Sequence, residues 1–286
     1  MWTAILRRLV LAVMTVVAGG LISAMLVRYA PGFGTDERQL DARLSSDSIQ
    51  AIRNSNAEER NVAGYFAGRA YRLLHGDLGT SRSLNRPVRQ LLTERVGVTC
   101  SLAGKGLVSA WIAAALLVFA AWIAPTPALR VFTGVCSGML LCLPAGVLAL
   151  LAIVVNGPAY VCIALIVFPK VHRYLGNLVA ASSTMPHIIT ARAKGISAPR
   201  VFFWHVVPVI RREVLALAGV STSLAIGAAI PVEALCGIPG VGQLAWQSAL
   251  ARDLPLLINV SMLVVAFVVL ANSGADLLAG ERSQPA

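Results

Sequence analysis

The sequence predicts an all-α integral membrane protein with six transmembrane helices and a small helical domain outside the bilayer. Three observations carry that prediction. Hydrophobic residues make up 57% of the 286-residue chain and charged residues only 13%, with a mean hydropathy of +0.75. A soluble domain carries about 25% charged residues. The apolar residues are gathered into long runs, and about 20 in a row make one bilayer crossing. Many of the basic residues sit at the ends of those runs, and those near the short loops fall mostly on one side.

The first span covers about 5–30. Arg7 and Arg8 precede an apolar stretch at 9–27. That stretch exceeds the roughly 7–15 residues of a signal-peptide core, so it reads as an uncleaved span. The polar segment 31–98 follows, nearly neutral with ten arginines and eight acidic residues. Asn56 caps a helix with Glu58 and Glu59 in its first turn. Val62, Tyr65, Phe66, Arg69 and Leu73 fall at helical spacing, and Gly76 ends it. Pro87 opens a second amphipathic stretch, with Val88, Leu91 and Leu92 on one face. The second span, about 100–124, stops at Pro125. The third, about 129–155, has Pro144 near its middle and a Gly134-x-x-x-Gly138 pattern suited to close helix contact. The fourth runs from Pro158 to about 171, the fifth over about 214–232 and the sixth over about 256–279.

Orientation follows from the short loops. With the N-terminus inside, eleven Arg and Lys residues from Arg7 to Arg282 lie on the inner side, against Arg252 alone outside. Both termini and the 172–213 loop, which contains the stretch 184–212, are therefore expected in the cytoplasm, and 31–98 outside it. The net charge of +11 does not indicate nucleic acid, because no basic patch is interleaved with aromatics. Cys100, Cys136, Cys142, Cys162 and Cys236 match no zinc spacing and read as small apolar residues in helices. His75, His172, His187 and His205 form no metal or catalytic cluster. Gly104-Lys105-Gly106 is no phosphate loop, since Thr99 stands where the first glycine is required. No nucleophile–base set is found, so neither enzymatic activity nor a cofactor is expected.

The 184–212 loop reads as two short helices broken at Gly195. Thr184 caps the first, with Pro186 in its first turn, and Gly195 supplies the left-handed residue that ends it. Ser197 caps the second, with Pro199 in its first turn. Ala191 and Ala193 are small enough for close approach to another surface, and Arg192 and Lys194 keep the helix soluble.

Thr190-Ala191-Arg192-Ala193-Lys194-Gly195-Ile196-Ser197 resembles the cytoplasmic coupling motif of permease subunits in binding-protein-dependent ABC importers, in the form of the dipeptide/oligopeptide/nickel class. Other stretches agree in order: Gly76-Asp77-Leu78-Gly79-Thr80-Ser81, then Pro87-Val88, Arg95 and Thr99; Val232-Glu233 through Pro239-Gly240-Val241-Gly242; Arg252-Asp253-Leu254-Pro255; and Tyr29-Ala30-Pro31-Gly32. The ordered set covers nearly the whole chain. Departures are Pro186-His187 in place of an acidic-aromatic pair, an outer stretch cut to Asn156-Gly157-Pro158, and a missing basic tail.

The resemblance implies a six-helix permease of a bacterial plasma membrane, divided into a first helix at 1–30, an extracytoplasmic segment at 31–98 and a five-helix core at 99–286. It implies a second, similar permease, two cytoplasmic ATP-binding subunits docking on residues 190–197, an external solute-binding protein, and a peptide or similar small solute. Lys105 and Glu233 are the pathway candidates, since charges within spans are costly in lipid, and Asp276 is a third such charge. Two other readings stay open: a secondary transporter driven without ATP, and a membrane scaffold or regulatory subunit.

Overall fold

In a computed structural model, residues 2–29 and 76–279 are described, apart from the side chains at the ends of the first and last helices. The helix expected from Asn56 to Gly76, the Pro31-Gly32 pair, the Asp276 side chain and the C-terminal tail therefore lie outside the description. The described residues are almost entirely helical: α1 (Trp2–Tyr29), α2 (Val88–Ile123), α3 (Pro127–Cys142), α4 (Ala145–Val154), α5 (Ala159–Ser182), α6 (Pro186–Ala193), α7 (Ala198–Val201), α8 (Val207–Cys236), α9 (Val241–Leu250) and α10 (Leu254–Ala279). Between α7 and α8, Phe202–Val206 forms a wider turn in which the Val207 N–H reaches back to the Phe202 carbonyl.

Four helical stretches are long and apolar enough to cross a membrane: Val88–Ile123, Ala159–Ser182, Ala198–Cys236 and Leu254–Ala275. The expected third span is instead two helices, α3 and α4, meeting at 99°. Pro144 causes the break. It has no N–H to donate into a continuing helix, and it disfavours helical backbone at Leu143, which is extended at φ −85°, ψ 121°. α1 has 28 residues, with an apolar stretch at Val10–Ser23. A count of six crossings is not established by these helices. The amphipathic stretch after Pro87 is the beginning of α2. Nothing between 88 and 123 breaks a helix, so α2 reaches 36 residues. α5 runs past its expected end to Ser182, because Leu175, Val179 and Ser182 are buried beyond the apolar run.

The chain forms two compact units, Met1–Glu94 with Ala245–Val265, and Arg95–Leu244 with Ala266–Ala286. In the first, α1 lies against the start of α10. A Cβ on Gly20 would sit 2.7 Å from Met262 Cγ, and the Ser261 hydroxyl donates to Ser23 Oγ at 2.8 Å. In the second, small residues let helices approach closely. A Cβ on Gly106 of α2 would lie 2.7 Å from Ile163 Cβ of α5, and one on Gly219 of α8 would collide with Ala275 of α10. Ala110, Ala114, Ala149, Val167, Ala225 and Ala229 fill the core between α2, α4, α5 and α8. Hydrogen bonds cross the same interfaces, from Trp111 Nε1 to Ser221 Oγ at 3.0 Å and from Ser223 Oγ to Asn272 Oδ1 at 2.9 Å. This is the packing expected where lipid supplies no hydrophobic drive between helices. Gly134 and Gly138 are different: a Cβ on either meets nothing within 4 Å, so that pattern contacts no other described helix of this chain.

Candidate functional site

The 184–212 loop is two short helices turning at glycine, with different caps from those expected. The N-cap position of α6 is Met185, which makes no side-chain cap bond. Thr184 Oγ1 instead donates to the Ala181 carbonyl at 2.9 Å, behind the end of α5. Pro186 occupies the start of α6, where its missing N–H costs nothing. α6 ends at Ala193. Gly195 follows at φ +74°, and its N–H reaches the Arg192 carbonyl at 2.9 Å while the Ile196 N–H reaches that of Ala191 at 3.3 Å. Ser197 precedes α7 in extended conformation, but its hydroxyl makes no cap bond.

The loop is held against its own chain. Ile188 and Ala191 are 0% and 4% exposed, in an apolar cluster with Leu175, Val201, Phe202 and Val206. Thr190, Arg192, Ala193, Lys194, Gly195 and Ser197 are exposed, and Ile196 is half-buried against the cluster. Two sequence expectations change here. Ala191 is small because it meets the protein's own core, not because it is offered to another surface. Arg192 also does more than solubilise the helix, since its guanidinium carbon lies 4.3 Å from the centre of the Trp122 ring. Trp122 Nε1 in turn donates to the Ala198 carbonyl at 2.9 Å, and Phe119 packs edge-on against Phe202 at 5.1 Å. These aromatic supports were not singled out in the sequence. The signal available was an aromatic pair at the very end of an apolar run, just before Pro125.

Glu233 is enclosed by residues of its own unit in this structure. It is 0% exposed, and its Oε2 accepts from the Gly242 N–H at 2.7 Å. Thr99 Oγ1 accepts from the Val241 N–H at 2.8 Å. Two otherwise unpaired amides at the start of α9 are thus satisfied by side chains of α8 and α2. The carboxylate also sits at the positive end of α9. Arg95 adds a bond from Nη1 to Gln243 Oε1 at 3.1 Å. The glycines of the turn are explained by space. A Cβ on Gly240 would fall on the Glu233 carboxylate, and one on Gly242 would lie 2.5 Å from Ile230 Cα and 2.7 Å from its carbonyl oxygen. Gly237, at φ +66°, ends α8.

In the first unit, two stretches read separately along the sequence meet. Asp253 is 1% exposed, and its Oδ2 accepts from Ser81 Oγ at 2.6 Å, Ser83 Oγ at 2.8 Å and Ser83 N at 3.0 Å. Oδ1 accepts from Leu256 N at 3.2 Å, capping α10. Asn259 Nδ2 donates to the Leu78 carbonyl at 3.0 Å. One carboxylate and one amide thereby pin the turn before α2 onto the start of α10.

Lys105 is exposed on α2. Among the described residues, no group of three or more His, Cys, Asp and Glu side chains could hold a metal ion.

Residues 105–280 match the family described as binding-protein-dependent transport system inner membrane component. The "Putative peptide transport system permease protein" of Brucella abortus strain 2308 is 27% identical over 307 residues, covering 96% of this chain and 95% of that protein. The oligopeptide transport system permease protein AppB of Bacillus subtilis strain 168 is 32% identical over 106 residues, 37% of this chain and 34% of its own. The di/tripeptide transport system permease protein DppB of Pseudomonas aeruginosa strain UCBPP-PA14 is 33% identical over 94 residues, 33% of this chain and 28% of its own.

Proposed function

The chain belongs to the family of binding-protein-dependent transport system inner membrane components, and from that premise we propose that it is a translocating subunit with no chemistry of its own, docking on ATP-binding subunits through residues 190–197. The observation that carries the proposal is the division of labour within that loop. Ile188 and Ala191 anchor it to the chain, while Thr190, Arg192, Ala193, Lys194, Gly195 and Ser197 stand out as an exposed surface of small and basic residues, held from behind. A surface held in that way can pass on a partner's movement, whereas a loosely held loop would absorb it.

In this reading a second, similar permease completes the pathway, two cytoplasmic ATPases supply the energy, and an external binding protein delivers the solute. The relatives' names favour a peptide or similar small molecule. The charge asymmetry along the sequence favours cytoplasmic termini and an extracytoplasmic 31–98 segment, whose last turns would continue into α2. Lys105 stands as the pathway candidate, and Glu233 as the lock of the turn before α9. The test is reconstitution of the four-part assembly in vesicles. Solute uptake should require ATP and the binding protein, and the isolated chain should hydrolyse no ATP. Uptake that proceeds without ATP, or hydrolysis by the chain alone, overturns the proposal.

A further inference from the structure

We propose that Arg192, seated over the Trp122 ring, presents its guanidinium N–H groups to a carboxylate of the ATP-binding subunit. The inference deepens the docking proposal and rests on it. The guanidinium carbon lies 4.3 Å from the centre of the Trp122 ring. That contact uses the ring face and leaves the N–H donors for other partners. Among the described residues no carboxylate or other acceptor takes them, and the side chain is exposed. Trp122 is itself fixed: its Nε1 donates to the Ala198 carbonyl at 2.9 Å, and its ring meets Phe202 at 5.8 Å. An arginine standing free on a helix samples many rotamers. One seated on a fixed ring has less freedom to lose when a partner arrives.

Charge decides what that partner carries. Residues 95–212 hold ten Arg and Lys and not one Asp or Glu. Lys194 and Arg200, both exposed, follow Arg192 along the loop. The docking surface has no acid of its own to neutralise it, so its complement is acidic. A carboxylate also matches the donor fork of arginine, which it can accept in two parallel bonds. Lysine offers only a point charge on a flexible stem, so Lys194 adds attraction without that geometry. Arg192 is therefore the contact that fixes register, and Trp122 is the positioning residue behind it.

The experiment titrates the ATP-binding subunit onto the purified chain in lipid nanodiscs, made of phosphatidylcholine alone or with phosphatidylglycerol. Arg192→Gln should weaken binding about tenfold in both discs and flatten its salt dependence. Trp122→Leu should weaken it about threefold, and Trp122→Phe, which keeps a ring face, should restore most of that. If Trp122 acts through Arg192, Trp122→Leu should cost nothing further in the Arg192→Gln chain. In a Lys194→Arg background, Arg192→Lys places an amine at the same point, and a zero-length carbodiimide should couple position 192 to an Asp or Glu of the ATP-binding subunit. Wild-type affinity in Arg192→Gln, or a loss without that cross-link, overturns the proposal. A Trp122→Leu loss that persists in full in the Arg192→Gln chain overturns the positioning role. A loss confined to discs with phosphatidylglycerol assigns Arg192 to lipid headgroups and overturns the proposal as well. In each of these cases the wild-type chain still binds, so the docking reading stands. Failure of the wild-type chain to bind removes both.

Discussion

Replacing Gly195 separates backbone cost from side-chain cost at the loop proposed to bind the ATPase. The residue is at φ +74°, and a Cβ built there meets nothing within 4 Å. Within this chain, then, a substitution carries only the strain of a left-handed backbone. That strain is about 1–2 kcal/mol for an ordinary L-residue, less for asparagine and more for a β-branched one. If the loop must hold this shape to dock, the cost passes directly into binding. At about 1.4 kcal/mol per tenfold, Gly195→Ala should weaken ATPase affinity roughly five- to thirtyfold. Gly195→Asn should cost less than alanine despite its larger side chain, and Gly195→Val should cost most. Membrane insertion should be unchanged in all three. The assay is titration of the ATP-binding subunit onto each purified variant in lipid nanodiscs, with the membrane level of each variant as control. An order that follows size, with asparagine worse than alanine, refutes the backbone argument and puts partner contact in its place. Equal affinity in all four proteins removes the loop as the docking element.

Gly242→Ala pushes a methyl onto the Ile230 backbone and should destabilise by about 1–3 kcal/mol, read as a lower Tm in detergent, whereas Gly138→Ala, with open space around it, should leave Tm unchanged. Asp253→Asn should cost about 2–3 kcal/mol by weakening charge-assisted bonds to Ser81 and Ser83, and Ser81→Ala about 1 kcal/mol; thermal unfolding with limited proteolysis of 76–87 should rank them in that order. Ala191→Trp should loosen the loop's own packing, so proteolytic cutting within 184–212 should accelerate even without any partner. A cysteine at Ser55 should be labelled by a membrane-impermeant reagent from outside and one at Ser283 should not; the reverse pattern overturns the proposed orientation.

The helical membrane architecture was legible because hydropathy integrates over many residues, although a single proline, Pro144, was enough to bend one of the apolar runs. The left-handed turn at Gly195 was legible for the opposite reason: one residue type alone takes that backbone at little cost. What escaped was pairing at long range. Asp253 and Ser81 each stood in a recognised stretch, yet nothing in either predicts that they touch 172 positions apart. The bond from the Gly242 amide to Glu233 was not legible, because a span's composition does not say which way one side chain points. The caps failed for a local reason. Thr184 and Ser197 are good N-cap types, but proline in the following turn set the backbone, and the Thr184 hydroxyl found the end of α5 first. Pro144 was visible, whereas the angle it would produce was not, since that depends on what α4 packs against.

The wider turn at Phe202–Val206 is an α-helix carrying one surplus residue. Its presence sets the rotational phase between the loop and α8: each residue added or removed turns what precedes it by about 100°. Deleting one residue here would restore ordinary helical hydrogen bonding and would swing α6 and α7 by that angle about the axis of α8. The Phe202 ring would then leave Phe119, and the exposed edge at Thr190 would point elsewhere. The apolar helix α8 and the loop before it thus have separate angular settings. The surplus residue is the adjustment between them.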